Sequence, residues 1–197
     1  MITIYGDRIS GNCLKVKFTA ERLAIPFTWV DIDVTRQETR TDAFLAMNPA
    51  GQVPTILLED GRPLAQSNAI ILHLARDSGL IPADPYDRAK MLEWMFWEQY
   101  SHEPTLAVVR FRMKWLGKLR SEIDPGLIER GEAALALMDR ALANRRFLVG
   151  EALTLADICL VAYTRFAHDG GFVLADYPAV DAWVSRVEAE LPIKDPR

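Results

Sequence analysis

The chain has 197 residues, half of them hydrophobic and a quarter charged, which allows one ordinary domain or two small ones and excludes the disordered classes. With 23 basic against 27 acidic side chains the net charge is −4. The charges are interspersed, so a general nucleic-acid footprint is absent and the basic residues at 114–120 read as a solvated helix face.

In chain order, residues 2–5 alternate with Ile2 and Ile4 on one face, which predicts a first strand. Turn and cap residues fill 6–12, and Leu14, Phe18 and Leu23 then recur at roughly helical spacing before Pro26. Residues 27–32 are β-branched and aromatic and predict a second strand. A polar segment leads to a short helix around 43–47. Residues 55–58 and 62–65 predict two more strands, made antiparallel by the Asp60-Gly61 hairpin turn. Ser67 stands where an N-cap is expected, before an apolar helix that Gly79 ends.

Residues 80–86 contain two prolines and read as a linker. Everything after it reads as helical. One long helix is expected over about 87–115, and Asp124-Pro125 opens a second that runs to about 143. Thr154-Leu155-Ala156-Asp157 has the form of a capping box with Asp in place of Glu, and Tyr177-Pro178 begins a last helix. The expected fold is α/β followed by all-α: a βαβ-ββα domain over 1–79, the linker, and a helical domain over 87–197. No apolar run approaches the ~20 residues of a spanning helix, and no signal peptide is evident. Cys13 and Cys159 form no CxxC, and the three histidines show no ligand spacing. The expectation is a soluble, cytoplasmic protein without membrane, nucleic-acid or metal partners.

The most informative stretch is Asn48-Pro49-Ala50-Gly51-Gln52-Val53-Pro54. Asn-Pro and Gly mark a tight loop before a strand, and proline is tolerated at a strand's first residue. A cis Val53-Pro54 bond would turn the Val53 N–H and C=O outward, where an extended peptide could pair with them. Gln66-Ser67 lies at a helix N-terminus, suited to a carboxylate, with an amide beside it.

Together with Thr154–Asp157, these motifs and their order resemble the glutathione S-transferase family over nearly the whole chain. The resemblance implies a thioredoxin-like first domain that binds glutathione, with Val53 pairing with the cysteinyl backbone beside Pro54. Gln66 and Ser67 would hold the γ-glutamyl end, and Gln52 or Arg40 the glycyl carboxylate. It also implies a homodimer that conjugates the glutathione thiolate to a small electrophile in detoxification.

A free thiol has a pKa near ~8.5 and must be activated. The family places its activator just after the first strand. Here Ser10 is the first choice and Asn12 the second, ahead of Cys13, which would instead form a mixed disulfide with glutathione and make the chain a disulfide oxidoreductase. A non-catalytic glutathione-binding protein is the third reading. For the electrophile pocket, Tyr100, His102 and Arg110 are expected on the first long helix of the second domain. No G-x-S-x-G, G-x-G-x-x-G or P-loop occurs.

Overall fold

The computed structural model describes residues 1–193, and the chain divides into two compact units, Met1–Ile81 and Pro82–Arg197. The end of the expected second domain, 194–197, lies outside the described residues. In the first unit the order is β1 (Ile2–Gly6), α1 (Gly11–Arg22), β2 (Phe27–Asp31), two 3-10 turns, α2 (Asp42–Met47), β3 (Thr55–Leu57), β4 (Pro63–Ala65) and α3 (Ser67–Leu74). The sheet order is β2-β1-β3-β4. β1 runs parallel to β2, with Ile4 opposite Trp29, and antiparallel to β3, with Ile4 opposite Ile56. The β3–β4 hairpin turns at Gly61, whose φ of 83° is in the left-handed region that glycine occupies freely.

Strand alternation explains the packing. Ile2, Ile4 and Ile56 are buried together with Val16 and Ala20 of α1 and Ile70 and Ile71 of α3. The next residue along β1, Tyr5, points the other way and meets Phe44 of α2 edge-on, with ring centroids 6.4 Å apart. Tyr5 is thus a packed aromatic. At the end of β1, a Cβ on Gly6 would lie 2.7 Å from the Trp29 ring, so a side chain there would displace it.

The second unit holds α4 (Pro85–Trp97), α5 (Glu103–Lys114), α6 (Pro125–Leu142), α7 (Leu155–Thr164) and α8 (Pro178–Glu190). Every residue of α7 is buried, so the other helices enclose it. Asp157 anchors it. One carboxylate oxygen accepts from the Thr154 N–H (2.9 Å) and hydroxyl (3.0 Å), the other from the Leu148 N–H and Trp183 Nε1 (both 2.9 Å). The expected capping box is therefore present and reaches two further segments.

Two boundaries differ from the sequence expectation. α4 starts at Pro85 because the Asp84 side chain accepts from the Tyr86 and Asp87 amides, both at 2.9 Å, inside the stretch read as linker. The expected single helix over 87–115 is interrupted by a π-helical turn, Glu98–His102, where the Glu103 N–H reaches back to the Glu98 carbonyl. Pro104 supplies the cause: it has no N–H, and its ring would crowd the carbonyl four residues earlier in a regular α-helix. No helix among the described residues is long and apolar enough to cross a membrane.

Candidate active site

The loop entering β3 is held by its own side chains. Asn48, almost fully buried, donates to the Gln52 carbonyl at 2.8 Å and the Thr55 hydroxyl at 3.1 Å, and its Oδ1 accepts from the Ala50 N–H at 3.1 Å. The Thr55 hydroxyl also donates to the Gln52 carbonyl. The Val53-Pro54 bond is cis. Among the described residues, the Val53 N–H and C=O take no part in a backbone hydrogen bond. Val53 is half-buried, Pro54 is buried, and the Gln52 side chain is exposed. Arg40 comes to the same loop: its Nη1 is 3.4 Å from the Ala50 carbonyl, and it fills the space over Gly51.

At the end of β4, Gln66 rather than Ser67 occupies the N-cap position of α3, with φ 70° and ψ 112°. A non-glycine residue at positive φ is strained and is kept where the surroundings impose it, often at a functional site. The Gln66 side chain is exposed, whereas Ser67 is buried. The Ser67 hydroxyl does not cap its own helix but donates to Asn12 Oδ1 at 3.0 Å. The Lys15 ammonium donates to the same oxygen at 2.8 Å. These contacts join the α3 start to the first turn of α1.

Ser10 is the N-cap residue of α1 and makes no side-chain capping bond. Cys13 is fully enclosed and accepts from the Asp7 N–H at 3.3 Å. Burial pushes its thiol up to about 11, against the opposing hydrogen bond from the Asp7 N–H. It is a neutral core thiol at ordinary pH. An exposed, acidic cysteine, which the disulfide oxidoreductase reading requires, is not what this position holds.

Residues 9–77 match the family model "Glutathione S-transferase, N-terminal domain" and residues 127–190 the model "Glutathione S-transferase, C-terminal domain". The chain belongs to the glutathione S-transferase family. Among curated relatives, glutathione S-transferase theta-1 of Mus musculus is 30% identical over 96% of this chain and 83% of its own length. Among solved structures, a glutathione S-transferase from Pseudomonas fluorescens Pf-5 is 44% identical with a TM-score of 0.93, covering 95% of this chain and 94% of that one. A glutathione S-transferase from Xanthobacter autotrophicus Py2 is 41% identical, also with a TM-score of 0.93, covering 100% and 96%.

In this glutathione S-transferase family member, the residues expected to bind glutathione all fall in the first unit. Val53, Pro54, Gln52 and Arg40 gather at the β3 entry loop, and Gln66, Ser67, Asn12 and Ser10 at the adjoining starts of α3 and α1. The residues expected around the electrophile, all in the second unit, are not brought together. Tyr100 is largely exposed and lines a cavity of about 460 Å³ with Trp97, Thr105, Leu127 and Leu137. His102 is fully buried against α7, its Nε2 2.9 Å from the Thr164 hydroxyl. Arg110 is buried and paired with Asp169 at 3.0 Å, with its guanidinium 4.3 Å above the Phe166 ring. Contacts within that unit, with Thr164 and with Asp169, account for the placement of both side chains.

Asn48, Thr55 and Lys15, whose side chains hold the β3 entry loop and the Asn12 amide, were not singled out from the sequence. Asn48 was legible only as a turn marker. Lys15 carried a signal, a lysine set between the apolar Leu14 and Val16 on the buried side of α1.

Proposed function

We propose that this chain binds glutathione in its first unit, holds it as the thiolate, and transfers it to a small electrophile. The observation that carries the reading is the meeting of four features within that unit. These are the cis Val53-Pro54 edge, the strained Gln66, the partly buried Ser67–Asn12 contact and Arg40 over Gly51. In this reading Val53 pairs with the cysteinyl backbone through its N–H and C=O. Gln66, Ser67 and the positive end of α3 receive the γ-glutamyl group. Arg40 and Gln52 receive the glycyl carboxylate, for which a guanidinium is well suited.

The thiol lies at the α1 N-terminus in this reading, where hydrogen bonds and the helix end favour the anion. Asn12 and Ser10 are the donors within reach of that position. Asn12 is favoured, because its side chain is held in place by Lys15 and Ser67. The sulfur then attacks an electrophilic carbon or heteroatom and the leaving group departs. We further propose a homodimer working in the cytoplasm. The exposed Phe96 and Tyr100 on the second unit support the first part, and two free thiols, Cys13 and Cys159, suit a reducing compartment.

Calorimetric titration with glutathione, followed by a conjugation assay with an activated aryl halide, tests the reading. Binding with turnover is expected. Asn12→Ala should lower kcat more than it raises the glutathione KM. Absence of any binding heat would sink the proposal. Binding without conjugation to any of a panel of electrophiles would reduce it to a non-catalytic binding protein.

A further inference from the structure

Lys15, between Leu14 and Val16 on α1, is completely enclosed. An ammonium is costly to bury unless it is held by partners, and the Asn12 side chain is one of those that hold this one. Its Nζ meets Asn12 Oδ1 at 2.8 Å, and the Ser67 hydroxyl meets the same atom at 3.0 Å. An ammonium has donors only, so the atom it touches is the amide oxygen. The amide is planar, and its N–H₂ group is therefore turned to the other side. Ser67 alone could not enforce this, because a hydroxyl both donates and accepts.

We propose that Lys15 is a positioning residue for thiolate formation: it fixes the Asn12 amide with its N–H₂ as donor to the glutathione sulfur and places a buried positive charge behind it. The inference rests on the glutathione reading given above. The thiol loses its proton to water, the Asn12 N–H donates a hydrogen bond to the resulting sulfur anion, and Lys15 transfers nothing. The effect of its charge is felt at a neighbouring sulfur. At Cys13 the Lys15 charge favours the anion and the Asp7 charge opposes it, although burial outweighs both. Cys13 itself stays neutral and adds no competing charge. A ligand sulfur at the open end of the same helix is less buried, so the lysine's contribution is less masked there.

The test follows the ultraviolet absorbance of enzyme-bound thiolate against pH in the wild-type chain, Lys15→Met and Lys15→Gln. Lys15→Met is expected to raise the apparent pKa of bound glutathione by about one unit and to lower kcat/KM near neutrality by about 10-fold, with little change in the glutathione KM. Lys15→Gln keeps a donor for Asn12 without the charge and should fall between the two. It also provides the measurement if Lys15→Met does not fold. In an Asn12→Ala background, Lys15→Met should add little further, since it acts largely through Asn12. A folded Lys15→Met or Lys15→Gln variant that ionises glutathione with the wild-type pKa overturns this inference and leaves the transferase reading standing. A wild-type chain that gives no binding heat with glutathione overturns both.

Discussion

The Ser67 hydroxyl donates to the Asn12 side-chain oxygen at 3.0 Å across 55 residues of sequence, tying the start of α3 to the first turn of α1. One oxygen thereby links the element proposed to hold the γ-glutamyl end with the element proposed to hold the sulfur. Asn12→Ala and Ser67→Ala should each weaken glutathione binding, and the double variant should lose less than their sum. A coupling of about 1 kcal/mol is expected in a double-mutant cycle read by calorimetry. Strict additivity would mean that the contact does not transmit to the ligand.

Cys13 should be silent. With its thiol pushed up to about 11 by burial, almost none is ionised near neutrality, and no reagent reaches it without local opening. Native protein treated with glutathione disulfide or iodoacetamide should show no adduct on Cys13 by mass spectrometry, while unfolded protein is modified. Cys13→Ala should retain conjugation within about 2-fold, because the sulfur is not used in the reaction. A stoichiometric glutathione adduct on native Cys13 would restore the oxidoreductase reading.

Asp169 should mark acid unfolding of the helical unit. Burial pushes its carboxyl up, but hydrogen bonds from Lys114 (2.6 Å) and Arg110 (3.0 Å) more than offset this and hold it below the ordinary aspartate value. A carboxylate with a lowered folded pKa adds stability that is fully present above its unfolded value, about 4, and is lost as pH falls further. Asp169→Asn should cost about 3 kcal/mol near neutrality, since it removes the carboxylate charge paired with the buried Arg110. The gap between wild type and variant should narrow below about pH 4 in urea titrations. A gap that stays constant to low pH would show that the ion pair contributes nothing.

Asp157 should matter more for folding than any surface acid. Its carboxylate accepts from Thr154, Leu148 and Trp183, three separate segments around α7. Asp157→Ala strips all of them at once and should cost about 3–5 kcal/mol, seen as a lower urea midpoint. Asp157→Asn keeps the shape and part of the acceptor capacity and should cost less. Any glutathione affinity left in folded Asp157→Ala should be near that of wild type, since the first unit supplies that site.

Much of the fold was legible where a local signal and the tertiary structure demand the same thing. The Asp60-Gly61 turn, the Thr154–Asp157 box and the proline entering β3 are such cases. Ser67 shows the opposite. Its local sequence favours an N-cap, yet its hydroxyl is drawn to Asn12 by packing that no window of a few residues contains. The cap position passes to Gln66 with its φ of 70°. His102 and Arg110 show a related limit. Their place on a helix was readable, but the Thr164 and Asp169 that claim them lie 62 and 59 residues further on. Asp84-Pro85 carried the same start signal as Asp124-Pro125 and was obscured by a proline-rich setting. The π-helical turn shifts the helical phase between α4 and α5, so one period cannot be read across Pro104.

Gly51 couples backbone shape to recognition of charge. It holds φ 60°, and a Cβ there would come to 2.5 Å from Arg40 Nη1. Any larger residue at this position therefore disturbs the turn and pushes the guanidinium aside in one event. A lesion at an uncharged residue would then be recorded as a loss of preference for an anionic ligand, with a flattened dependence of binding on salt. A survey that looked only for altered charges would overlook it.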